Sequence, residues 1–175
     1  MKTALLLIDF QRDFLAPDGR MPVARGQIES VVAATNKAIS AARARGEDVV
    51  AIGNEFLRSD VVANFFRRNA ALAGSPGAAW DERIPITGAP YFRKWRGDAF
   101  CNPALEEFLR NHCVGQVALA GVFASGCVSA TANGALARGF RVTVLGDAVA
   151  DANGRARDRA LQRLARCGAS VAFQR

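Results

Sequence analysis

The sequence predicts an α/β protein, a three-layer α/β/α sandwich built on a mostly parallel, Rossmann-like sheet of about six strands. Two patterns carry this prediction. Apolar runs such as Leu5-Leu6-Leu7-Ile8 are continuous rather than alternating, as expected of strands covered on both faces. Between them lie longer stretches with apolar residues at helical spacing, and this alternation implies βαβ crossovers. Half of the 175 residues are hydrophobic and 22% are charged, the balance of a globular chain. No linker or repeat divides residues 1–175, which read as a single domain able to bury roughly two-thirds of its unfolded surface.

The elements follow in order. Residues 4–9 form the first strand, and residues 12–26 a loop marked by Pro17-Asp18-Gly19. Ile28, Val31, Val32, Ala38 and Ile39 recur at helical spacing over residues 27–45, with Gly46 placed to stop the helix. A second strand covers residues 48–53. Ser59 can cap a helix running to about Leu72, which Gly74-Ser75-Pro76-Gly77 interrupts. A short strand at residues 90–94 precedes a helix opened by Pro103, a residue suited to the first helical position. A strand at 117–120, a helix at 129–138 stopped by Gly139, a strand at 141–145, a helix at 153–167 and a strand at 170–173 complete the chain.

Composition bounds the function. The apolar run after Met1 ends at Asp9, too early for a signal peptide, and no segment has the roughly 20 apolar residues of a membrane span. A cytoplasmic protein without membrane partners is expected. The net charge of +7 comes largely from arginines on helices, such as Arg155, Arg159, Arg163 and Arg166. No nucleic-acid motif accompanies them, so no nucleic-acid partner is expected. The four cysteines show no C-x-x-C pair, and in a cytosolic chain they are reduced thiols.

Only Cys127 has a context that suggests chemistry. The run Val117-Ala118-Leu119-Ala120 leads into a Gly-flanked turn, and Cys127 follows at the start of an Ala-rich helix. A helix N-terminus offers unpaired N–H groups and partial positive charge, which favour thiolate over thiol. A cysteine nucleophile also needs a proton carrier. The chain has a single histidine, His112, predicted at a helix end away from the strand termini. In parallel sheets ligands gather at the carboxyl ends of strands, where Asp9, Lys94 and Cys127 all fall. Asp9 is therefore the candidate proton carrier and Lys94 the candidate cation.

At these residues the sequence resembles the isochorismatase-like cysteine hydrolases, the superfamily that includes nicotinamidases and N-carbamoylsarcosine amidases. The resemblance opens with Leu6-Leu7-Ile8-Asp9-Phe10-Gln11-Arg12-Asp13-Phe14 and continues through Ser75-Pro76-Gly77-Ala78. It then takes in Lys94 with Arg96 and Ala99-Phe100, and Gly121-Val122 through Cys127-Val128. Thr131, Ala135, Gly139 and Asp147-Ala148 complete it. It implies an Asp9–Lys94–Cys127 triad in which Cys127 forms an acyl-enzyme, Asp9 relays protons and Lys94 is the electrostatic partner. It further implies a cis peptide at Val122–Phe123, with the backbone N–H groups of Phe123 and Cys127 as an oxyanion hole. A homo-oligomer, dimer or tetramer, is also implied.

Three departures shape the substrate expectation. Nicotinamidases carry an Asp-x-His segment and a further metal-binding histidine where this chain reads Gly53-Asn54-Glu55-Phe56-Leu57. No metal and no other cofactor is therefore expected, with carboxylate ligation by Glu55 or Asp60 the alternative left open. Ala124-Ser125 stands where the family often has Thr-Asp. Isochorismate-cleaving members can lack the cysteine, so its presence here favours acyl chemistry. Phe14, Trp80 and Trp95 flank the triad segments as candidate substrate contacts, and Asn54 and Glu55 are candidates to orient a polar group. The reading is a hydrolase of a small amide, imide or carbamoyl compound. A small-molecule-binding or redox-sensing protein on the same fold is the alternative.

Overall fold

A computed structural model describes residues 1–173. Six parallel strands form one sheet in the order β3-β2-β1-β4-β5-β6. They are β1 (Lys2–Ile8), β2 (Asp48–Asn54), β3 (Tyr91–Lys94), β4 (Val114–Val122), β5 (Arg141–Ala150) and β6 (Ser170–Ala172). The helices are α1 (Arg12–Leu15), α2 (Arg25–Ala44), α3 (Val61–Phe66), α4 (Pro103–Asn111), α5 (Ser129–Ala137) and α6 (Gly154–Arg166). Strand order reverses between β1 and β4, so their carboxyl ends diverge and leave a crevice there.

Side-chain alternation along β1 divides the core. Leu5 and Leu7 pack with Ile28, Val31 and Ile39 of α2, whereas Ala4, Leu6 and Ile8 pack with residues of α4, α5 and α6. Both faces are thereby covered, which is why β1 reads as an unbroken aliphatic run. Gly121 allows β1 and β4 to approach: it has φ +152°, and a Cβ there would run into the Ile8 carbonyl. Among the described residues, no helix is long and apolar enough to cross a membrane.

Three segments differ from the sequence expectation. The loop expected over residues 12–26 contains α1, whose four residues are too few for a helical period to stand out. The helix expected from Ser59 starts after Asp60 and ends at Phe66. Arg68, Asn69 and Ala71 then adopt left-handed conformations, with φ of 53°, 57° and 50°. The fifth strand continues past Gly146 to Ala150 through a register shift opposite Leu119–Gly121.

Candidate active site

Asp9 immediately follows β1, and its backbone turns sharply there with φ 58°, a conformation aspartate tolerates better than most residues. Lys94 is the last residue of β3, and Cys127 lies in the tight turn Ala124–Val128 between β4 and α5. That turn bends at Gly126 (φ −105°, ψ −107°) and is closed by Ser129 Oγ donating to the Ala124 carbonyl at 2.6 Å. Three distant segments thus deliver their side chains to one point.

Lys94 is fully buried, and its Nζ donates to Asp9 Oδ2 at 3.0 Å, Asn54 Oδ1 at 2.8 Å and the Arg96 carbonyl at 3.1 Å. Those three acceptors use all three ammonium protons. Asn54, at the end of β2, is the hub. Its Nδ2 donates to Asp9 Oδ2 at 2.7 Å and lies 3.5 Å from Cys127 Sγ, so one amide touches all three groups. Gln11 holds Asn54 in turn: its Nε2 donates to the Asn54 carbonyl, and its Oε1 accepts from the Asn54 N–H, both at 2.8 Å.

Burial sets the protonation balance. It works against the Lys94 ammonium, but the charge of Asp9 and contact with Cys127 more than offset this, and the pKa is raised. Burial also pushes the Asp9 carboxyl up, with Lys94 and a hydrogen bond from the Cys127 thiol pulling it only partly back. The thiol is pushed up to about 11 by burial, then by the Asp9 charge, with Lys94 opposing. This runs against the expectation of a stabilised thiolate: burial first, and the Asp9 carboxylate second, favour the thiol. Asp9 Oδ1, buried and without a fully formed hydrogen bond among the described residues, is the acceptor left for the thiol proton.

A cavity of about 350 Å³ opens over this centre. Asp9, Asn54 and Cys127 form its floor, and Phe14, Phe123 and Phe56 its apolar wall. Phe14 and Phe123 meet edge to face at 5.8 Å, and the Val122–Phe123 peptide is cis. Of the candidate substrate contacts, Phe14 and Asn54 border the cavity, although the Asn54 amide is engaged by the triad. Glu55, Trp80 and Trp95 are not among the residues that line it. The Glu55 carboxylate lies 3.9 Å from Arg93, Trp80 packs between Phe10 and Tyr91 while donating to the Ile84 carbonyl, and Trp95 is exposed. Glu55 and Trp95 each follow the last residue of a strand, where pleating sends successive side chains to opposite faces.

Two charged cavity residues escaped the sequence reading. Asp151 follows the extended end of β5 and is buried, its Oδ2 accepting from the Ser125 N–H at 2.6 Å. The apolar run Ala148-Val149-Ala150 before it repeats the strand-then-aspartate pattern of Asp9 and was the available signal. Arg67 enters because α3 stops early, and its only local hint was Asn69, which accepts left-handed backbone. Gln11 and Asp13 in the opening motif also acquire structural roles. Asp13 Oδ2 accepts from the Ala71 N–H at 2.8 Å, and Gly77 is needed because a Cβ there would collide with that carboxylate.

His112 caps α4 and pairs with Asp48 at 3.1 Å, at the start of β2 and thus the opposite end of the sheet. Among the described residues, no three His, Cys, Asp or Glu side chains come together as a metal-holding group.

Fold and site define an α/β protein with a buried carboxylate, lysine and cysteine centred on the strand crevice. Residues 3–173 match the Isochorismatase domain, and the chain belongs to the isochorismatase family. It is 31% identical over 155 residues to a streptothricin hydrolase from Streptomyces noursei, covering 83% of this chain and 53% of that relative. The chain thus spans about half the length of that protein. It is 32% identical over 162 residues to a maleamate amidohydrolase from Pseudomonas putida, covering 86% of this chain and 73% of the relative. Its fold is similar to that of a pyrazinamidase from Pyrococcus horikoshii in complex with zinc (TM-score 0.87, 27% identity, 99% of this chain and 100% of that one). The residues around this cavity do not fit such a metal. Phe56 and Ala70 are apolar, the Asn54 amide is committed to the triad, and Asp60 faces Arg67 at 3.7 Å.

Proposed function

We propose that the chain hydrolyses the C–N bond of a small amide, imide or carbamoyl compound through an acyl-enzyme on Cys127. The observation that carries this reading is geometric: Asp9, Asn54 and Cys127 meet at the floor of one cavity, with Lys94 Nζ 3.0 Å from Asp9 Oδ2 and Asn54 Nδ2 3.5 Å from Cys127 Sγ. Cys127 Sγ attacks the carbonyl carbon while its proton passes to Asp9. The oxyanion formed is received by the backbone N–H groups of Phe123 and Cys127, a donor pair of the kind worth about 2.7–4 kcal/mol per member. Asp9 returns the proton to the leaving nitrogen, which departs as ammonia or an amine. Water then attacks the thioester, giving its proton to Asp9, and the acid is released as the thiol is restored.

Lys94 keeps its charge throughout and stabilises the carboxylate between transfers. Relatives named as amidohydrolases support this chemistry, and the raised thiol pKa weighs against a redox sensor, which needs an accessible thiolate. Ammonia release from a panel of small amides tests the reading. Cys127→Ser should lower kcat by at least about 10³-fold with unchanged circular dichroism, because an alcohol is a far weaker nucleophile at this carboxylate. Equal turnover by the variant, or a peroxide-induced sulfenate with no acyl adduct from any amide by intact mass, overturns it.

The homo-oligomer implied by resemblance is also proposed. The outer face of α3 supports it: Val61, Val62, Phe65 and Phe66 are all at least 70% exposed. Such a cluster is costly to leave in water. Light scattering should give a mass at least twice the 18.6 kDa of one chain; a monomer would refute it.

A further inference from the structure

Arg67 is the cavity charge that the hydrolytic chemistry does not use. Its guanidinium lies over the Phe56 ring, 4.0 Å from the centroid, and both residues border the cavity that contains Asp9 and Cys127. Stacking uses the flat face of a guanidinium and leaves its in-plane N–H donors for an acceptor. Arg67 Nη1 is buried and has no hydrogen-bond partner among the described residues. Asp60 Oδ2, on an exposed side chain, is 3.7 Å away, too far for a hydrogen bond.

The other charges bordering the cavity are already matched. Asp9 is bonded to Lys94 and Asn54, and the Asp151 carboxylate accepts the backbone N–H groups of Ser125 and Ala152 at 2.6 and 2.7 Å. The backbone carrying Arg67 is also anchored on both sides. Its own N–H donates to the Ala63 carbonyl at 3.1 Å, the Asn69 N–H to the Asn64 carbonyl at 2.7 Å, and the Ala71 N–H to buried Asp13. A donor so positioned and stacked, its ion-pair partner Asp60 exposed and beyond hydrogen-bond distance, fits a planar anion.

We propose that Arg67 receives a carboxylate of the substrate, so that the compound cleaved at Cys127 is an amide bearing an acid group at its far end. This rests on the amidase reading above and narrows its substrate class. The planar fork of the guanidinium matches a carboxylate with two parallel hydrogen bonds, and the small cavity places both ends of a short amide acid within one enclosure.

The test uses the whole chain and paired probes: succinamate and glutaramate against their uncharged counterparts butyramide and valeramide. In the wild type, kcat/KM should favour the amide acids. Arg67→Gln should reduce that preference by about 10- to 100-fold, mainly through KM, and Arg67→Lys should restore part of it, since an ammonium keeps the charge but not the fork. Loss of activity on both probe classes in equal proportion would mark Arg67 as structural and overturn the assignment, as would a wild type without preference.

Calorimetry with Cys127→Ala separates this inference from the amidase reading. Succinamate binding that is lost in Cys127→Ala/Arg67→Gln supports the anion site even if the wild type hydrolyses none of the probes, which would overturn the amidase reading alone. Absence of Arg67-dependent binding and of Arg67-dependent preference overturns the anion site whatever the amidase outcome.

Discussion

Lys94→Met is expected to abolish amide turnover and to lower stability by about 3–5 kcal/mol, the cost of leaving one member of a buried ion pair alone. In a chain of this length each kcal/mol shifts Tm by about 2–4 °C, so calorimetry should show a fall of roughly 6–20 °C. The physical cause is specific. Lys94 Nζ gives hydrogen bonds to Asp9, Asn54 and the Arg96 carbonyl, and methionine replaces none of them. Asp9 then lies in an apolar enclosure without a counter-charge, and its already raised pKa rises further.

The sign of the pH dependence follows from that rise. A carboxyl whose folded pKa exceeds its unfolded value favours folding most when protonated, below its unfolded pKa. That contribution is lost as pH rises through the folded pKa. The Tm deficit of Lys94→Met relative to wild type should therefore shrink as pH is lowered from 8 towards 5. The double variant Asp9→Asn/Lys94→Met removes both charges and should recover stability without activity. A Lys94→Met protein as stable and as active as wild type would show that the pair does neither job.

Asp9→Asn should move two measurements of the same cysteine in opposite directions. Amide hydrolysis should fall by about 10²–10⁴-fold, the usual worth of a positioned proton carrier. Alkylation of Cys127 by iodoacetamide should become faster. In the wild type the thiol is pushed up to about 11, so alkylation should rise about tenfold per pH unit from pH 7 to 9 with no plateau. Burial is the largest cause of that rise, the Asp9 charge and hydrogen bond add to it, and Lys94 opposes it. With asparagine at position 9, burial still raises the thiol but the Asp9 charge no longer adds to it, so the alkylation profile shifts to lower pH. Parallel losses in hydrolysis and alkylation would show that the substitution merely buries or displaces the sulfur.

The extent to which the residues themselves foretold this arrangement varies by element. Continuous aliphatic runs identify the inner parts of β1 and β4, residues 4–8 and 117–122, because two-sided burial leaves no polar positions there. Gly46 and Gly139 mark the ends of α2 and α5, with left-handed φ of 67° and 80°. The sequence misjudged α3, where left-handed Arg68 and Ala71 follow no local preference and the Ala71 N–H is held by Asp13 from outside the segment. It likewise shortened β5, since Gly146-Asp147 resembles a turn until β4 pairs across the irregularity.

Asp9, Lys94 and Cys127 were recognisable as chemically capable groups at strand ends, because parallel topology sends all such ends to one side. Which protonation state they adopt was not. A helix start argues for thiolate, whereas burial of the sulfur and then the placement of Asp9 beside it push the thiol pKa up. Asn54 shows the same division. Its position after β2 was evident, but its contacts with all three groups depend on Gln11 gripping its backbone from another loop. Sequence alone determined the sheet, the site's end of it and the reactive groups, since these follow from local burial patterns and strand polarity. Tertiary structure decided the upward push on the thiol pKa, the Asn54 hub and the entry of Arg67 into the cavity, because each is set by burial, charges and hydrogen bonds between segments far apart in the chain.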